Sequence, residues 1–415
     1  MLNCVIVDAY GPGMFFLPLF NEKKLNVIHI QSSKDIPPPF LPAIEKASFI
    51  ERIVYKNDID AVVNSLKKYA PIAFIIPGFE TGVQLADTLS EILELKTNGT
   101  ALSSARRNKY EMMEALRSNN IPAVNYFKTA ELNKGIEWVN SEANYPVVLK
   151  PVDSASSEDV YISNNEEELK QAFNKILNKT NIMGLENTVV LLQSYLEGTE
   201  YVVNSVSCNG MHYVTDIWVC KKRIVNNRVI YDKEELIPAE GVIQEVLSLY
   251  IFKVLDALKI KYGPAHSEVI LTKNGPILLE TGARVGGAVH PDIHKDCFGH
   301  SQIELTLDAY LNEQNFREKT HLPYIISKYI YVVMVISEQE GVIKEISLIN
   351  KLQNLSTVYF TRFKKKIGDK LQKTIDLSSS PATIYLVCEN KDTLENEYQA
   401  LLTLCKNGFS LELTQ

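Results

Sequence analysis

Two glutamates interrupt apolar strands in one short stretch of this chain. The stretch runs Ala265-His266-Ser267-Glu268-Val269-Ile270-Leu271, then a turn over Thr272 to Gly275, then Pro276-Ile277-Leu278-Leu279-Glu280. It reads as a hairpin with Glu268 and Glu280 on one face. Two like charges repel there, and a divalent cation with a preference for oxygen ligands, such as Mg²⁺, removes the repulsion. A plainer reading is two exposed strand glutamates. Thr281-Gly282-Ala283-Arg284-Val285-Gly286-Gly287 follows directly. The planar fork of Arg284 suits phosphate or carboxylate, and Gly286 and Gly287 would let backbone N–H groups approach an anion. Two lysines complete the set. Lys109 lies early in a helical pattern, and Lys150 ends the apolar run Val147-Val148-Leu149 just before Pro151. A lysine at the mouth of a buried strand is costly unless it meets an anion, although each could also be a surface residue. Cations for phosphates, carboxylates for a metal and a further cation for the moving phosphoryl group are what phosphoryl transfer from ATP requires. The chain has no G-x-x-x-x-G-K-[ST] loop, and no Ser/His/Asp or Cys/His signature of covalent catalysis.

The elements that must carry these residues begin with an alternation of strand and helix. Cys4 to Val7, Leu25 to Ile30 and Ile72 to Ile76 read as strands. Between the last two, Asp58 to Tyr69 has helical spacing, with Ile59, Val62, Val63 and Leu66 on one face. This order implies a parallel sheet flanked by helices. Ligands meet such sheets at the carboxyl ends of the strands, where the loops Tyr10-Gly11-Pro12-Gly13 and Pro77-Gly78-Phe79-Glu80-Thr81-Gly82 fall. Neither makes a G-x-G-x-x-G fingerprint. Glu80 could hold a substrate amino group or be a surface loop glutamate. A helix is expected over about 103 to 118 with Ser103-Ser104 as caps. Strands are expected at Thr188 to Gln193, Tyr201 to Ser207 and Met211 to Cys220, and a helix at Val242 to Leu258. From about 325 the chain reads mainly as strands, with a helix near Thr393 to Cys405.

Size and composition exclude several classes. A chain of 415 residues is too long for one ordinary core. A hydrophobic fraction of 46% with 22% charged residues argues for a folded protein rather than disorder. The net charge of −7 gives no support for nucleic-acid binding. Cys4, Cys208, Cys220, Cys297, Cys388 and Cys405 form no C-x-x-C pair, so reduced thiols and a cytoplasmic location are expected. The N-terminus starts on a strand-like run, so no signal peptide is expected. No apolar run is long enough to span a bilayer, and no membrane partner is expected.

Taken in order, Lys109, Leu149-Lys150-Pro151, Gln193-Ser194-Tyr195-Leu196-Glu197-Gly198-Thr199-Glu200-Tyr201, Glu268 and Glu280-Thr281-Gly282-Ala283-Arg284 resemble the ATP-grasp superfamily. The resemblance covers roughly residues 1 to 320, and the whole looks most like the L-amino acid ligase subgroup. The Val7-to-Gly13 and Pro77-to-Gly82 loops, Gly263-Pro264-Ala265-His266-Ser267-Glu268, and Asp216-Ile217-Trp218 with Lys221 and Lys222 carry that finer likeness. It implies an α/β and α+β multidomain chain with the ATP-grasp fold. An N-terminal parallel-sheet domain would span 1–100 and the ATP-grasp domain 101–320, with a lid subdomain at about 123–196. A small β-rich subdomain would span 321–415. Lys109 and Lys150 would contact ATP phosphates, and Gln193, Ser194, Tyr195 and Leu196 would form the hinge that reads adenine. Glu200 would accept from the ribose hydroxyls, Lys222 would reach a phosphate, and Glu268 and Glu280 would hold Mg²⁺ or Mn²⁺. Arg284, with Lys150, would steady the transferred group. Val152 to Asp159 would be the lid over the phosphates.

Two positions depart from the family pattern. The lid has no glycine, and Gly282 stands where many members carry a metal-binding Asn. The implied reaction joins a small carboxylic acid and an amine, the pair expected to be amino acids. The acid takes the γ-phosphoryl group of ATP, and the amine then attacks the acyl phosphate, releasing ADP and phosphate. Substrate contacts are expected at Glu80, Arg284, Gly286, Gly287 and His290. His290 or His294 could orient or deprotonate the amine, and the preferred, plainer reading of both is polar residues at a helix start. A homodimer is an expectation from the resemblance. Competing readings are a biotin-carboxylase-like or carbamoyl-phosphate-synthase-like ligase using bicarbonate, and an ATP-binding relative without catalysis.

Overall fold

The computed structural model describes residues 2–36, 40–154, 157–225 and 228–412. Among these residues the strands form four sheets. The first is parallel and contains Glu51–Val54, Asn26–Gln31, Asn3–Val7 and Ile72–Pro77, in that spatial order. Strands Asn3–Val7 and Ile72–Pro77 are largely apolar because both faces are covered there. Val5, Val7, Ile28 and Ile30 pack on Val62, Val63 and Leu66 of helix Ile59–Lys67, which is capped by Asp58. Cys4, Ile6, Val27 and Ile76 pack on the other side against Phe16 and Phe20 of helix Phe16–Glu22.

The second sheet is antiparallel, in the order Tyr126–Thr129, Val190–Ser194, Val147–Lys150, Tyr161–Ser163. Helices Leu132–Glu142 and Glu166–Ile176 bury Trp138, Val139, Leu169 and Phe173 against it. Lys150 is the last residue of its strand, as the apolar run before it suggests.

The third sheet has eight strands and positions most of the chemistry. Its order is Gly275–Gly282, Gly263–Thr272, Thr199–Cys208, Met211–Val225, Arg228–Ile237, Tyr329–Met334, Ala382–Cys388, Val358–Phe363. Successive side chains in a strand point to opposite faces, and here the two faces differ in kind. Tyr201, Val203, Ile217, Val219, Ala265 and Val269 pack under helix Val242–Ala257. The alternate residues Glu200, Asn204, Asp216, His266 and Glu268 lie on the other side. A small sheet of Lys370–Leu371, Gly341–Glu345 and Ser410–Glu412 lies beyond.

One helix differs from its sequence expectation. Ser103 and Ser104 do not cap a continuous helix; Ser104–Arg106 is a single 3₁₀ turn. The helix proper is Lys109–Ser118, capped by the Asn108 side chain, which accepts from the Tyr110 and Glu111 N–H groups. The interruption follows from Arg106. Its guanidinium is fully buried, pairs with Asp87 at 2.6 Å, and donates to the carbonyls of Asn98, Gly99 and Leu258. The turn that delivers Arg106 to those groups cannot also be the first turn of the helix. This one side chain ties the helix Val83–Ile92, the connection after it and the end of helix Val242–Ala257.

Arg106→Leu would leave Asp87 buried without its counter-charge. It is expected to cost about 3–5 kcal/mol, read as a lowered urea midpoint at unchanged slope.

Candidate active site

The hairpin of the large sheet sets the site. A two-residue turn at Lys273-Asn274 pairs Thr272 with Gly275, and the register continues to Val269 opposite Leu278. Unbroken, it would place Glu268 opposite Leu279 and send Glu280 to the buried face. The register instead shifts between Glu268 and Val269, and Glu268 lies directly opposite Glu280. A bulge of this kind re-aims a side chain. Leu278 stays in the core, and both carboxylates reach the same face.

Each carboxylate has a cationic or hydrogen-bonding partner. Lys109 Nζ lies 2.5 Å from Glu280 Oε2 and donates to the Ser154 carbonyl at 2.9 Å. Burial works against the Lys109 charge, but the Glu280 carboxylate outweighs it and raises the Lys109 pKa. His266 Nε2 stands 3.6 Å from Glu268 Oε1. Its Nδ1 donates to Asn204 Oδ1, since the Asn204 amide nitrogen is committed to Asp216. Asp216 also accepts from the Trp218 indole and the Thr215 hydroxyl. Burial opposes ionisation of Glu268. The bond and charge of His266, with the charges of Lys109 and Lys222, prevail and hold the carboxyl at about 2.

Arg284 Nε donates to Glu80 Oε2 at 2.8 Å, so Glu80 is the counter-ion of Arg284 rather than a free loop glutamate. This pair accounts for Gly282. A Cβ there would stand 2.9 Å from Glu80 Oε2 and 3.3 Å from Arg284 Nε, so a side chain would displace the pair. Glu80, Lys109, Glu280 and Arg284 line one cleft with Arg107 and Asp153, of about 330 Å³ open to solvent.

Lys150 comes from the second sheet and is 6% exposed. Among the described residues no carboxylate lies within ion-pair distance of it. Burial and the neighbouring Lys109 charge pull its pKa down to about 8, against the more distant Glu280, Glu268 and Glu200. A buried ammonium in this condition is completed by an anion. Gln193 is also buried, and its Nε2 has no partner among the described residues. Ser194 N–H donates to the Asn125 carbonyl, Tyr195 is exposed, and Leu196 packs on the core. Glu200 holds Lys222 at 2.6 Å and accepts from the Tyr231 hydroxyl.

The remaining residues are placed differently from one another. The Gly286 N–H is taken by Gln302 Oε1, so that amide is not available to an anion, contrary to expectation. The paired glycine serves packing instead, since a Cβ at Gly286 would stand 2.8 Å from Asn204 Oδ1. Gly287 borders open space. His290 precedes helix Pro291–Phe298, its ring packed 4.5 Å from Phe360 and 5.2 Å from Phe15, and burial lowers its pKa. His294 is fully inside that helix's packing, and burial pulls it down to about 4. The N-terminal loop glycines also pack on each other: a Cβ on Gly13 would meet the Gly78 carbonyl at 2.4 Å. Part of the lid expected at Val152 to Asp159, residues 155 and 156, lies outside the described residues. The described part is anchored, with Arg107 2.9 Å from Asp153 and the Lys109 N–H donating to the Val152 carbonyl. Reading the sequence missed Asn204, Tyr231 and the whole strand Arg228–Ile237. Asn204 stands an even number of strand positions after Glu200, hence on the same face, and that was the available signal for it. The charge run Asp232 to Glu235 hid the strand's period.

Lys150 gives a direct test. At about pH 8.5 it is mostly neutral, and a bound polyphosphate raises its pKa. Binding of tripolyphosphate is expected to take up roughly one proton, measured by calorimetry in buffers of different ionisation enthalpy. In Lys150→Met the uptake is expected to vanish.

Comparison with known proteins finds relatives over the whole length of the chain. Residues 143–292 match the family model of the ATP-grasp domain. Over 399 residues the chain is 34% identical to dapdiamide A synthase of Enterobacter agglomerans, covering 94% of this chain and 93% of that protein. An L-amino acid ligase from Bacillus licheniformis shares the fold with a TM-score of 0.77 at 19% identity, covering 100% of this chain and 99% of that one. Carboxyaminoimidazole ribonucleotide synthase from Aspergillus clavatus, solved with ATP, shares it with a TM-score of 0.72 at 14% identity, covering 98% and 99%.

Proposed function

This chain belongs to the ATP-grasp ligases and is an ATP-dependent, ADP-forming ligase that makes amide bonds, and we propose that its two substrates are amino acids or close relatives of them. The relative named dapdiamide A synthase and the fold shared with an L-amino acid ligase support that substrate class. The observation that carries the assignment of roles is the meeting of Lys109, Glu280, Glu80 and Arg284 in one cleft, with Lys150 and Glu268 beside it.

In this reading Lys150 and Lys109 hold the ATP phosphates, and Gln193 with the backbone after it reads adenine. Glu268 and Glu280 hold Mg²⁺ or Mn²⁺. The fit rests on their direct opposition across the hairpin, where an all-oxygen pair invites a cation. Among the described residues no group of three or more His, Cys, Asp or Glu accompanies them. Phosphate oxygens and water would therefore complete the shell, as is usual for Mg²⁺. The metal would supply charge neutralisation on the phosphates. Lys109 would then leave Glu280 for the phosphates, and Arg284 would turn from Glu80 toward the transferred group. The acid's carboxylate oxygen bonds to the γ-phosphorus as the bond to ADP breaks. The amine nitrogen then bonds to the acyl carbon, and phosphate leaves. Positioning and charge do most of this work.

The three divisions 1–100, 101–320 and 321–415 are proposed as the N-terminal, ATP-grasp and C-terminal units, and the assembly as a homodimer. No described helix is long and apolar enough to cross a membrane. All six cysteines are free, which supports a reducing, cytoplasmic setting.

The test is phosphate release from ATP and Mg²⁺ across a matrix of amino-acid pairs, with mass spectrometry of products. Release is expected to need two substrates and to give a condensed product. Glu280→Gln is expected to lower kcat by about 10²–10³. Release with bicarbonate in place of the acid would overturn the amino-acid reading.

A further inference from the structure

Every carboxylate at the cleft described above is engaged: Glu80 with Arg284, Glu280 with Lys109, Glu200 with Lys222, Glu268 beside His266. Glu234 is the contrast. It lies on strand Arg228–Ile237, opposite Cys220 on one side and Val332 on the other. Among the described residues it has neither a hydrogen-bond nor an ion-pair partner. Its row on the sheet shares the face that carries Trp218 and Glu268. Glu268 is three strands across the sheet and two residues along it, about 16 Å between backbones at the usual spacings, and both side chains project from that face.

We propose that Glu234 receives the ammonium group of the amine substrate and takes its proton, converting it to the nucleophile. This rests on the reading of the same site as an amino-acid ligase. The surroundings favour a positive, proton-carrying ligand. The ionisable groups acting on Glu234 itself are Glu268, Glu200 and Asp216, with Cys220 and Tyr385 beside it; the cations of this region, Lys222 and Arg362, act on Glu200, Cys220 and Tyr385. Val332 and Tyr385 bring an otherwise apolar cluster up to it. Burial first, and then the neighbouring Glu268, Glu200 and Asp216 charges, push its carboxyl up to about 8. A base is most effective when its pKa lies near the working pH. An arriving ammonium gives Glu234 the ion-pair partner that it has nowhere among the described residues. Glu80 is less suited to the task because Arg284 already occupies it. A metal is less suited because no third ligand stands with Glu234 among the described residues.

The step balances simply. The ammonium gives one proton to the Glu234 carboxylate and becomes an amine. Its nitrogen lone pair forms the bond to the acyl carbon, and the carbon–oxygen bond to phosphate breaks. The second proton lost by the nitrogen leaves with phosphate as hydrogen phosphate.

The experiment separates activation of the acid from use of the amine, in the full chain. Hydroxylamine is unprotonated near neutral pH and traps an acyl phosphate as a hydroxamate without needing a base. Glu234→Gln keeps the side chain's shape. It is expected to form hydroxamate within about threefold of the unaltered protein. It is expected to lose amide formation with the amino-acid amine by about 100-fold or more. That loss should shrink as pH rises from about 7 to about 9.5, where the free amine exists in solution. Glu234→Asp retains the carboxylate and is expected to keep an intermediate rate of amide formation. Equal loss of hydroxamate and amide in both variants, or no loss of either, overturns the proposal. Unaltered protein that yields no hydroxamate with any amino acid overturns the amino-acid reading and this proposal with it.

Discussion

Like charges held close together must be compensated, and the cleft is organised by that requirement. The bulge in the hairpin forces Glu268 and Glu280 to face each other. Facing carboxylates repel, and positive charge nearby relieves the repulsion. Lys109 answers for Glu280, and His266, oriented through Asn204 and Asp216, answers for Glu268. The same logic runs outward to Glu80 with Arg284 and Glu200 with Lys222. These pairs keep the site intact in the absence of substrate.

Such charges can be buried only because they are paired and hydrogen-bonded, on a scaffold that keeps its apolar residues on other faces. The large sheet divides its strands between two environments, with helix Val242–Ala257 closing one face and the cleft open on the other. Lys150 is delivered from a separate sheet, the one built on Val147–Lys150 and Val190–Ser194. The polar ties that align the parts are buried and multiple. Gln302 bonds the Gly286 N–H and the carbonyls of Ser205 and Ala265. Arg106 links three elements at once. Removing one partner of such a group leaves the others unsatisfied, so these ties resist small shifts.

Chain-local information was enough for much of this. Short apolar runs marked the strands that carry Lys150, Glu200 and Glu268. Period-3.6 spacing marked helix Ile59–Lys67 and helix Val242–Ala257. An ionisable residue inside an apolar strand stood out because burial of an unpaired charge is expensive. Residue type and order were therefore sufficient to identify the family and to single out Lys109, Lys150, Glu268, Glu280 and Arg284.

Other features depended on partners distant in the chain. Plain hairpin register puts Glu280 on the wrong face, and the bulge that corrects it exists only in the paired strands. Glu80 and Arg284 are 204 residues apart, and nothing near either predicts their bond or the Cβ-free space it demands at Gly282. Arg106 decided where its helix begins through contacts up to 152 residues away. That Glu234 has no partner among the described residues is visible only once each neighbour's partner is known. What the sequence by itself determined was which residues bear charge and which segments alternate, since these follow from local chemistry. Which charges meet was decided by the tertiary structure, because pairing depends on register and on the packing of remote segments.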